Sequence, residues 1–156
     1  MDKRRSVVYL IFIAFAVAMI LILSYSRKET QKQLLYNEIS EVISSYKTGR
    51  TQYIDFSAIT TFSWDRMYIF APYSGCERID KAVGTITFWF DCQFTGIEMG
   101  KNSSLFIFTQ KRKVVRYVLY EGYLDDFSRG FEQEGFKFQE AHFITDKIGR
   151  MVWVGH

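Results

Sequence analysis

The sequence is poor in the residues from which most catalytic and metal sites are built. It has two histidines and two cysteines among 156 residues, and one histidine, His156, is the last residue. A zinc site needs about four ligands from His, Cys or carboxylate side chains, and this pattern does not supply them. The sequence also contains no P-loop, no G-x-G-x-x-G and no G-x-S-x-G motif. We therefore expect no metal, no cofactor and no enzymatic activity.

The charge of the chain is also small once its N-terminus is set aside. Lys and Arg number 20 and Asp and Glu 17, a net charge of +3. Residues 1–26 hold three of the bases and one of the acids, so the remainder carries 17 bases and 16 acids, a net of +1. A nucleic-acid partner would favour a basic domain, and we expect none.

Charge is absent from the run between Ser6 and Ser26, SVVYLIFIAFAVAMILILSYS. At about 1.5 Å per residue, a helix of this length crosses the roughly 30 Å core of a bilayer. Three bases, Lys3, Arg4 and Arg5, precede the run and favour a cytoplasmic N-terminus. We predict a single-pass protein of the cell membrane with a cytoplasmic tail (1–5), a transmembrane helix in the bilayer (6–26), a juxtamembrane helix (27–50) and an extracytoplasmic domain (51–156).

A cleaved signal peptide is the alternative. Its apolar region usually spans about 7–15 residues and ends at small residues. Here the run is longer, and it ends in Leu-Ser-Tyr-Ser-Arg at 23–27. No cysteine lies near its end, which excludes a lipoprotein-type anchor. The pattern therefore favours an uncleaved anchor.

The rest of the chain has the pattern of an α+β domain. Residues 29–47 place apolar side chains at helical spacing and predict an amphipathic helix that docks on a sheet or pairs with another helix. Beyond Gly49, β-branched and aromatic runs alternate with turn signals. We predict a curved, mostly antiparallel sheet with one or two helices packed on one side. The expected strands are 51–60, 63–71, 85–95, 104–110, 113–121, 136–145 and 150–155, with a short helix at 76–83 and a loop at 123–135.

The stretch FSWDRMYIFAPYSG at 62–75 places four aromatic residues and an Asp-Arg pair in front of the single proline. Both of its faces are largely apolar, which predicts a central strand covered on both sides and ended by Pro72. Ser74 could cap the following helix. Asp65 and Arg66 point to opposite faces, so each needs its own partner. We expect Arg66 to use Asp91 or Glu121, and Asp65 to accept from the amides of the next turn.

This stretch resembles a segment of small bacterial envelope proteins, in which an aromatic-x-Trp-Asp-x-x-Tyr-x-Phe-x-Pro-Tyr run follows an N-terminal lipobox or membrane anchor. The resemblance covers roughly residues 62–84. It implies a bacterial cell-envelope protein and implies no activity. The chain departs from the lipoprotein members because it has no lipobox cysteine. The matching positions are Phe62, Trp64, Asp65, Tyr68, Phe70, Pro72 and Tyr73.

Three functional hypotheses follow. The first is a non-enzymatic module that binds another envelope protein through the turn at 72–76 and the loop at 123–131. The second is a small-ligand-binding domain. The third, an enzyme using Asp65, Glu140 or His142, has the least support. The two cysteines either pair in an oxidising compartment or remain separate buried thiols. The candidate binding residues are Trp64, Asp65, Arg66, Tyr73, Tyr123 and Phe127, and the candidate disulfide is Cys76–Cys92.

Overall fold

A computed structural model of the chain describes residues 3–84, 92–100, 102–122, 134–145 and 151–154. The chain divides into two compact units, residues 1–34 and 35–156. Helix α1 (Lys3–Lys47) includes both the predicted transmembrane helix and the predicted amphipathic helix.

The second unit has the predicted α+β composition, with short helices and antiparallel strands. It contains two turns of 3-10 helix, Cys92–Thr95 and Phe138–Glu140. Its other elements are β1 (Tyr53–Asp55), α2 (Phe56–Ile59), β2 (Arg66–Phe70), α3 (Cys76–Val83), β3 (Ser103–Gln110), β4 (Lys113–Glu121), β5 (Phe136–Lys137), β6 (His142–Thr145) and β7 (Met151–Trp153).

The strands form two antiparallel sheets, whereas the sequence predicted one. The first sheet has the order β4-β3-β2-β5 and the second the order β1-β6-β7. The predicted strand 136–145 is the reason for the difference. Its first part pairs with β2 and its last part with β1, and the 3-10 turn at Phe138–Glu140 lies between them. The backbone N–H of Phe138 donates to the carbonyl of Asp65 at 3.0 Å as the chain leaves the first sheet.

The four-stranded sheet is covered on both faces, as the apolar pattern of the β2 region predicted. Met67 and Ile69 pack with the side chains of α1, while Tyr68 and Phe70 pack with Ile79 of α3. The two helices therefore lie on opposite faces. The central strands are apolar on both faces, so each face needs a cover.

The C-terminal part of α1 docks on this core as its spacing predicted. Leu35, Ile39 and Ile43 are at most 2 % exposed and lie one helical turn apart. They pack in one cluster with Phe106 and Phe108 of β3. Burying side chains of this size stabilises the fold by about 1.5–3 kcal/mol each. Docking within the chain is thus the outcome, rather than a paired coiled coil.

The predicted strand 51–60 is shorter than expected because Asp55 begins a helix. The Asp55 carboxylate accepts hydrogen bonds from the backbone N–H of Ser57 at 2.8 Å and of Ala58 at 3.3 Å. These are the N–H groups that an N-cap residue satisfies at a helix start. The strand therefore ends at Asp55, and α2 follows directly.

The predicted strand 63–71 begins only at Arg66. Trp64 precedes it and packs on the α1 side with Met67, so the alternation shifts by one position between them. Farther along the chain, Tyr73 has a positive φ of 62° directly after Pro72. The N-cap of α3 is Gly75 and has no side-chain cap, so the expectation for Ser74 is wrong.

The predicted strand 85–95 falls partly outside the described residues. Its described part, Cys92–Thr95, is a turn of 3-10 helix rather than a strand. The hairpin at 110–113 is confirmed, with Gln110 paired to Lys113. The predicted loop at 123–135 lies outside the described residues up to residue 133.

Candidate functional site

The candidate residues from the sequence fall in separate places. Trp64 is in the core, only 5 % exposed, and its indole N–H donates to the Thr60 hydroxyl at 2.7 Å. Its ring meets Phe108 edge-on at 5.3 Å between centroids. Trp64 is therefore a packing residue. Tyr123 and Phe127 lie outside the described residues.

Asp65 is exposed and faces the β3–β4 hairpin. One carboxylate oxygen accepts the backbone N–H of Lys111 at 2.5 Å, and the other accepts the Thr109 hydroxyl at 3.3 Å. The expected backbone amide partner exists, but it comes from a turn 46 residues farther along the chain rather than from the next turn. Asp65 thereby links the start of β2 to the hairpin.

Arg66 has a different partner from those expected. Its guanidinium donates to the backbone carbonyl of Glu134. Glu121 pairs with Ser103, whereas Arg66 pairs with Thr109 at the other end of β3, so the strand register keeps Glu121 away from Arg66. Asp91, the other expected partner, lies outside the described residues. The half-buried Arg66 is consequently held by a neutral carbonyl, and within the described ranges it has no ion-pair partner.

Arg66 and Asp65 line a cleft of about 420 Å³ on the surface of the second unit. The cleft lies where the end of α3 meets β2, β3, β5 and the β3–β4 hairpin. Among the described residues, four cationic side chains and one carboxylate line it, a net charge of +3, whereas residues 35–156 carry 14 bases and 15 acids, a net of −1. The lining residues are Asp65, Arg66, Tyr68, Lys81, Ala82, Val83, Gly84, Thr109, Arg112 and Lys137.

The cations of the cleft differ in how they are held. Lys137 forms an ion pair with Glu140 at 2.8 Å. Within the described ranges, neither Lys81 nor Arg112 has an ion-pair partner. A Cβ placed on Gly84 would lie 3.4 Å from a terminal nitrogen of Arg112, so the guanidinium lies over the left-handed C-terminal residue of α3. The partial negative charge of this helix end is favourable for Arg112 but does not neutralise it.

The hairpin that carries Arg112 has a strained backbone conformation. Its two central residues, Lys111 and Arg112, have φ of 49° and 61°. A two-residue hairpin with both φ positive usually contains Asn-Gly, and a non-glycine residue in this region costs about 1 kcal/mol or more. The Asp65 carboxylate on the Lys111 N–H helps to hold the turn in this conformation. The hairpin therefore keeps two long cations where smaller residues would be more stable.

Tyr68 forms the inner wall of the cleft. Burial raises the pKa of its phenol, and the nearby positive charge of Arg66 offsets part of this effect. A Cβ on Gly135 would lie 2.7 Å from the Tyr68 ring, so only glycine fits against this wall, and its φ of 64° requires glycine as well. The segment after Glu134 is thus packed closely on the cleft.

A second feature is a group of three exposed apolar side chains on two linked segments, Tyr73, Phe94 and Met99, which we call the Tyr73 surface. Their side chains are 59 %, 86 % and 82 % exposed. The Cys76–Cys92 disulfide joins the two segments that carry them, and the N–H of Tyr73 donates to the carbonyl of Ile97 at 3.0 Å. The Glu98 carboxylate also accepts the N–H of Cys76 at 2.8 Å. The surface is therefore braced by covalent and hydrogen bonds.

The residues of the enzyme hypothesis do not converge. His142 contacts Tyr53 and lies 4.0 Å from the Asp55 carboxylate, on the three-stranded sheet. Glu140 is engaged with Lys137, and Asp65 with the hairpin. Among the residues that the structure describes, no group of three or more His, Cys, Asp or Glu side chains could hold a metal ion.

The sequence did not point to Lys81, Arg112 or Lys137. The charged turn QKRK at 110–113 was the one available signal, since a turn with two central cations and no Asn or Gly is unusual. Comparisons with protein-family models, curated proteins and solved structures found no match to this chain.

Proposed function

We propose that this protein is a single-pass envelope protein whose extracytoplasmic domain is a non-enzymatic binding module. The observation that carries the proposal is the first part of α1, which is long and apolar enough to cross a membrane. Between Tyr9 and Tyr25, thirteen large apolar side chains are 44–69 % exposed. Full burial of one large aliphatic or Phe side chain is worth about 1.5–3 kcal/mol, so transfer of this partly exposed set from water to an apolar environment is strongly favourable.

Two further features support an extracytoplasmic domain. The Cys76–Cys92 disulfide is typical of an oxidising compartment, because cytosolic thiols are kept reduced. The cluster of bases at residues 3–5 favours retention of the N-terminus in the cytoplasm. The resemblance of residues 62–84 to a segment of bacterial envelope proteins agrees with this placement.

The partner that we propose is another envelope protein with an apolar pocket, and its contact is the Tyr73 surface. Aromatic and Met side chains are enriched at protein interfaces, and this surface holds three of them more than half exposed on a braced scaffold. The positive φ of Tyr73 is unfavourable for a bulky residue. Because the strained backbone keeps the Tyr73 ring exposed, we infer that this ring contacts the partner.

The test is site-specific photocrosslinking in the native membrane. A photoreactive amino acid at Tyr73 or Phe94 should give a discrete adduct with one partner, whereas the same probe at exposed Gln110 should not. Tyr73→Gly should abolish partner recovery without lowering thermal stability, because glycine accepts the positive φ. Adducts of equal yield at all three positions, or none at Tyr73 and Phe94, would refute this contact.

A second candidate function, small-ligand binding, is favoured by the basic cleft. It needs no partner protein, and its lining residues do not overlap the Tyr73 surface. A thermal-shift measurement on the purified protein tests it independently of the crosslinking experiment.

A further inference from the structure

We propose that the cleft between α3, β2, β5 and the β3–β4 hairpin is a binding site for a phosphate group, carried by a soluble phosphate ester or by a lipid headgroup. The proposal deepens the second candidate function. It does not depend on the orientation of the anchor or on the Tyr73 surface. Its first basis is the charge of the lining, in which the described residues include four cations, Arg66, Lys81, Arg112 and Lys137, and one carboxylate, Asp65. Glu140, outside the lining, pairs with Lys137, so the net charge that remains is +2.

The concentration of charge is local rather than a property of the domain. Residues 27–156 carry 17 bases and 16 acids, yet the cleft gathers four of the bases with one acid. Like charges around a concave surface repel one another, and water in a narrow cleft screens them less than bulk solvent does. An anion in the cleft would remove this repulsion, so the fold favours one there.

The second basis is preorganisation. The guanidinium of Arg66 is fixed by the Glu134 carbonyl, and the ammonium of Lys137 by Glu140 at 2.8 Å. Side chains that are already held lose little conformational freedom when a ligand arrives. Lys81 and Arg112 have no ion-pair partner in the described part of the chain and are available to the ligand.

The third basis is the backbone of the hairpin. Lys111 and Arg112 occupy left-handed conformations that Asn-Gly would occupy at lower energy. Strain of this kind is concentrated at ligand clamps, where a side chain has to be presented at a fixed point. Here the strain places the Arg112 guanidinium over Gly84, at the rim of the cleft.

The chemistry of these groups favours phosphate over carboxylate. A guanidinium donates two parallel hydrogen bonds to the oxygens of a phosphate, and ammonium groups add point charges around it. A phosphate monoester carries up to two negative charges and can offset the two net positive charges that remain once Asp65 and the Glu140 partner of Lys137 are counted. A single carboxylate would offset only one of them. The volume of about 420 Å³ also leaves room for the organic part of an ester.

The experiment uses the full chain, purified in a neutral detergent, and measures its thermal unfolding by Trp fluorescence. Pyrophosphate and glycerol 3-phosphate are added as probes and compared with chloride at equal ionic strength. Separate samples in nanodiscs of phosphatidylcholine, with or without phosphatidic acid, whose headgroup is a phosphate monoester, test a lipid headgroup. A stabilising shift with the soluble probes identifies a soluble phosphate compound, and a shift with phosphatidic acid alone identifies a lipid headgroup.

Two substitutions that should change the affinity for the probe in opposite directions make the test specific. Lys81→Gln should weaken binding of the effective probe by about tenfold, because one charge-assisted contact is lost. Asp65→Asn should strengthen it by about threefold to tenfold, because the one carboxylate of the lining is removed. Lys113→Gln is the matched control, since Lys113 is exposed on the same hairpin but does not line the cleft, and it should leave binding unchanged.

A purely structural role for Arg112 predicts a different result. If Arg112 only stabilises the end of α3, Arg112→Gln lowers the melting temperature equally with and without the probe. For a binding site, Arg112→Gln and Arg112→Gly both abolish most of the probe-dependent shift, and the glycine variant relieves the backbone. The proposal would be overturned if no probe shifts the melting temperature, or if chloride gives the same shift. It would also be overturned if Lys113→Gln reduces the shift as much as Lys81→Gln does.

Discussion

Removal of the Cys76–Cys92 disulfide should destabilise the second unit by an amount that depends on the length of the loop that the bond closes. The two cysteines are separated by 16 residues. In the chain-entropy model, closing a loop of this size stabilises the folded state by about 3 kcal/mol. For a unit of roughly 120 residues, that loss should lower the melting temperature by about 10 °C.

The measurement compares Cys76→Ala/Cys92→Ala with the wild-type chain in the same neutral detergent. The double variant avoids an unpaired thiol. It also removes a sulfur atom from the core, because the residue Cys92 is only 2 % exposed. A second arm therefore adds reductant to the wild type, where no atom is deleted apart from the bond. Reductant should have no effect on the double variant, which is the control for its action elsewhere.

The bond itself is counted by alkylation. The wild-type chain, isolated from membranes and unfolded without reductant, should take up no thiol-alkylating reagent, and it should take up two equivalents after reduction. Two equivalents without reduction, together with a melting temperature that reductant leaves unchanged, would refute both the bond and the argument for an oxidising compartment that rests on it.

Three further predictions concern the core, the start of α2 and the buried tyrosines. Ile39→Ala should lower the free energy of unfolding by about 2–5 kcal/mol, because Ile39 is fully buried against the sheet. Glu41→Ala, at an exposed position of the same helix, should change it by less than about 0.5 kcal/mol, and equal losses in chemical unfolding would contradict the docking of α1. Asp55→Ala should lower the free energy of unfolding by about 1 kcal/mol, whereas Asp55→Asn, which still accepts hydrogen bonds from Ser57 and Ala58, should lose less. Equal stability of the two Asp55 variants and the wild type would exclude the cap. Burial raises the pKa of both Tyr68 and Tyr120. The unfolded chain then loses these protons near pH 10 while the folded chain retains them, so stability should be constant below pH 10 and fall above it. Tyr120→Phe should make this alkaline fall shallower in melts taken at increasing pH, and an unchanged slope would contradict the assignment.

The parts of the fold that the sequence predicted are those set by local pattern. The spacing of Leu35, Ile39 and Ile43 is a property of one helix, and the docking face follows from it. The β3–β4 hairpin is similarly local, since a charged two-residue turn separates two apolar runs. The two-sided burial of β2 was also readable, because both of its faces are apolar.

The parts that the sequence did not predict depend on one missed local signal, the N-cap at Asp55, and on partners distant in the chain. Asp55 reads as an ordinary strand residue until its carboxylate meets the N–H groups of α2. The division of the strands into two sheets depends on the 3-10 turn at Phe138–Glu140, which no Gly or Pro marks.

The cleft illustrates the same limit for a functional site. Arg66 pairs with Thr109 on one side and with Lys137 on the other, and this register brings together cations from two strands and from the β3–β4 hairpin turn. Helix α3 then adds Lys81 from a separate segment. The spacing of residues along the chain does not reveal which strands pair. Asp65 and Arg66 could therefore be identified from the sequence as unusual residues, but their position in a basic cleft could not be predicted.

The most direct test of the central claim is the orientation of the chain in the membrane. Single cysteines are introduced at Gln110, on the exposed hairpin, or at Lys3, in a background of Cys76→Ala/Cys92→Ala, and intact cells are treated with a membrane-impermeant maleimide. A membrane-anchored protein with an outer domain should be labelled at position 110 in intact cells and at position 3 only after permeabilisation, with the full-length chain retained in alkali-washed membranes. Labelling at position 3 but not at 110 in intact cells, or release of a chain shortened at its N-terminus, would contradict the account.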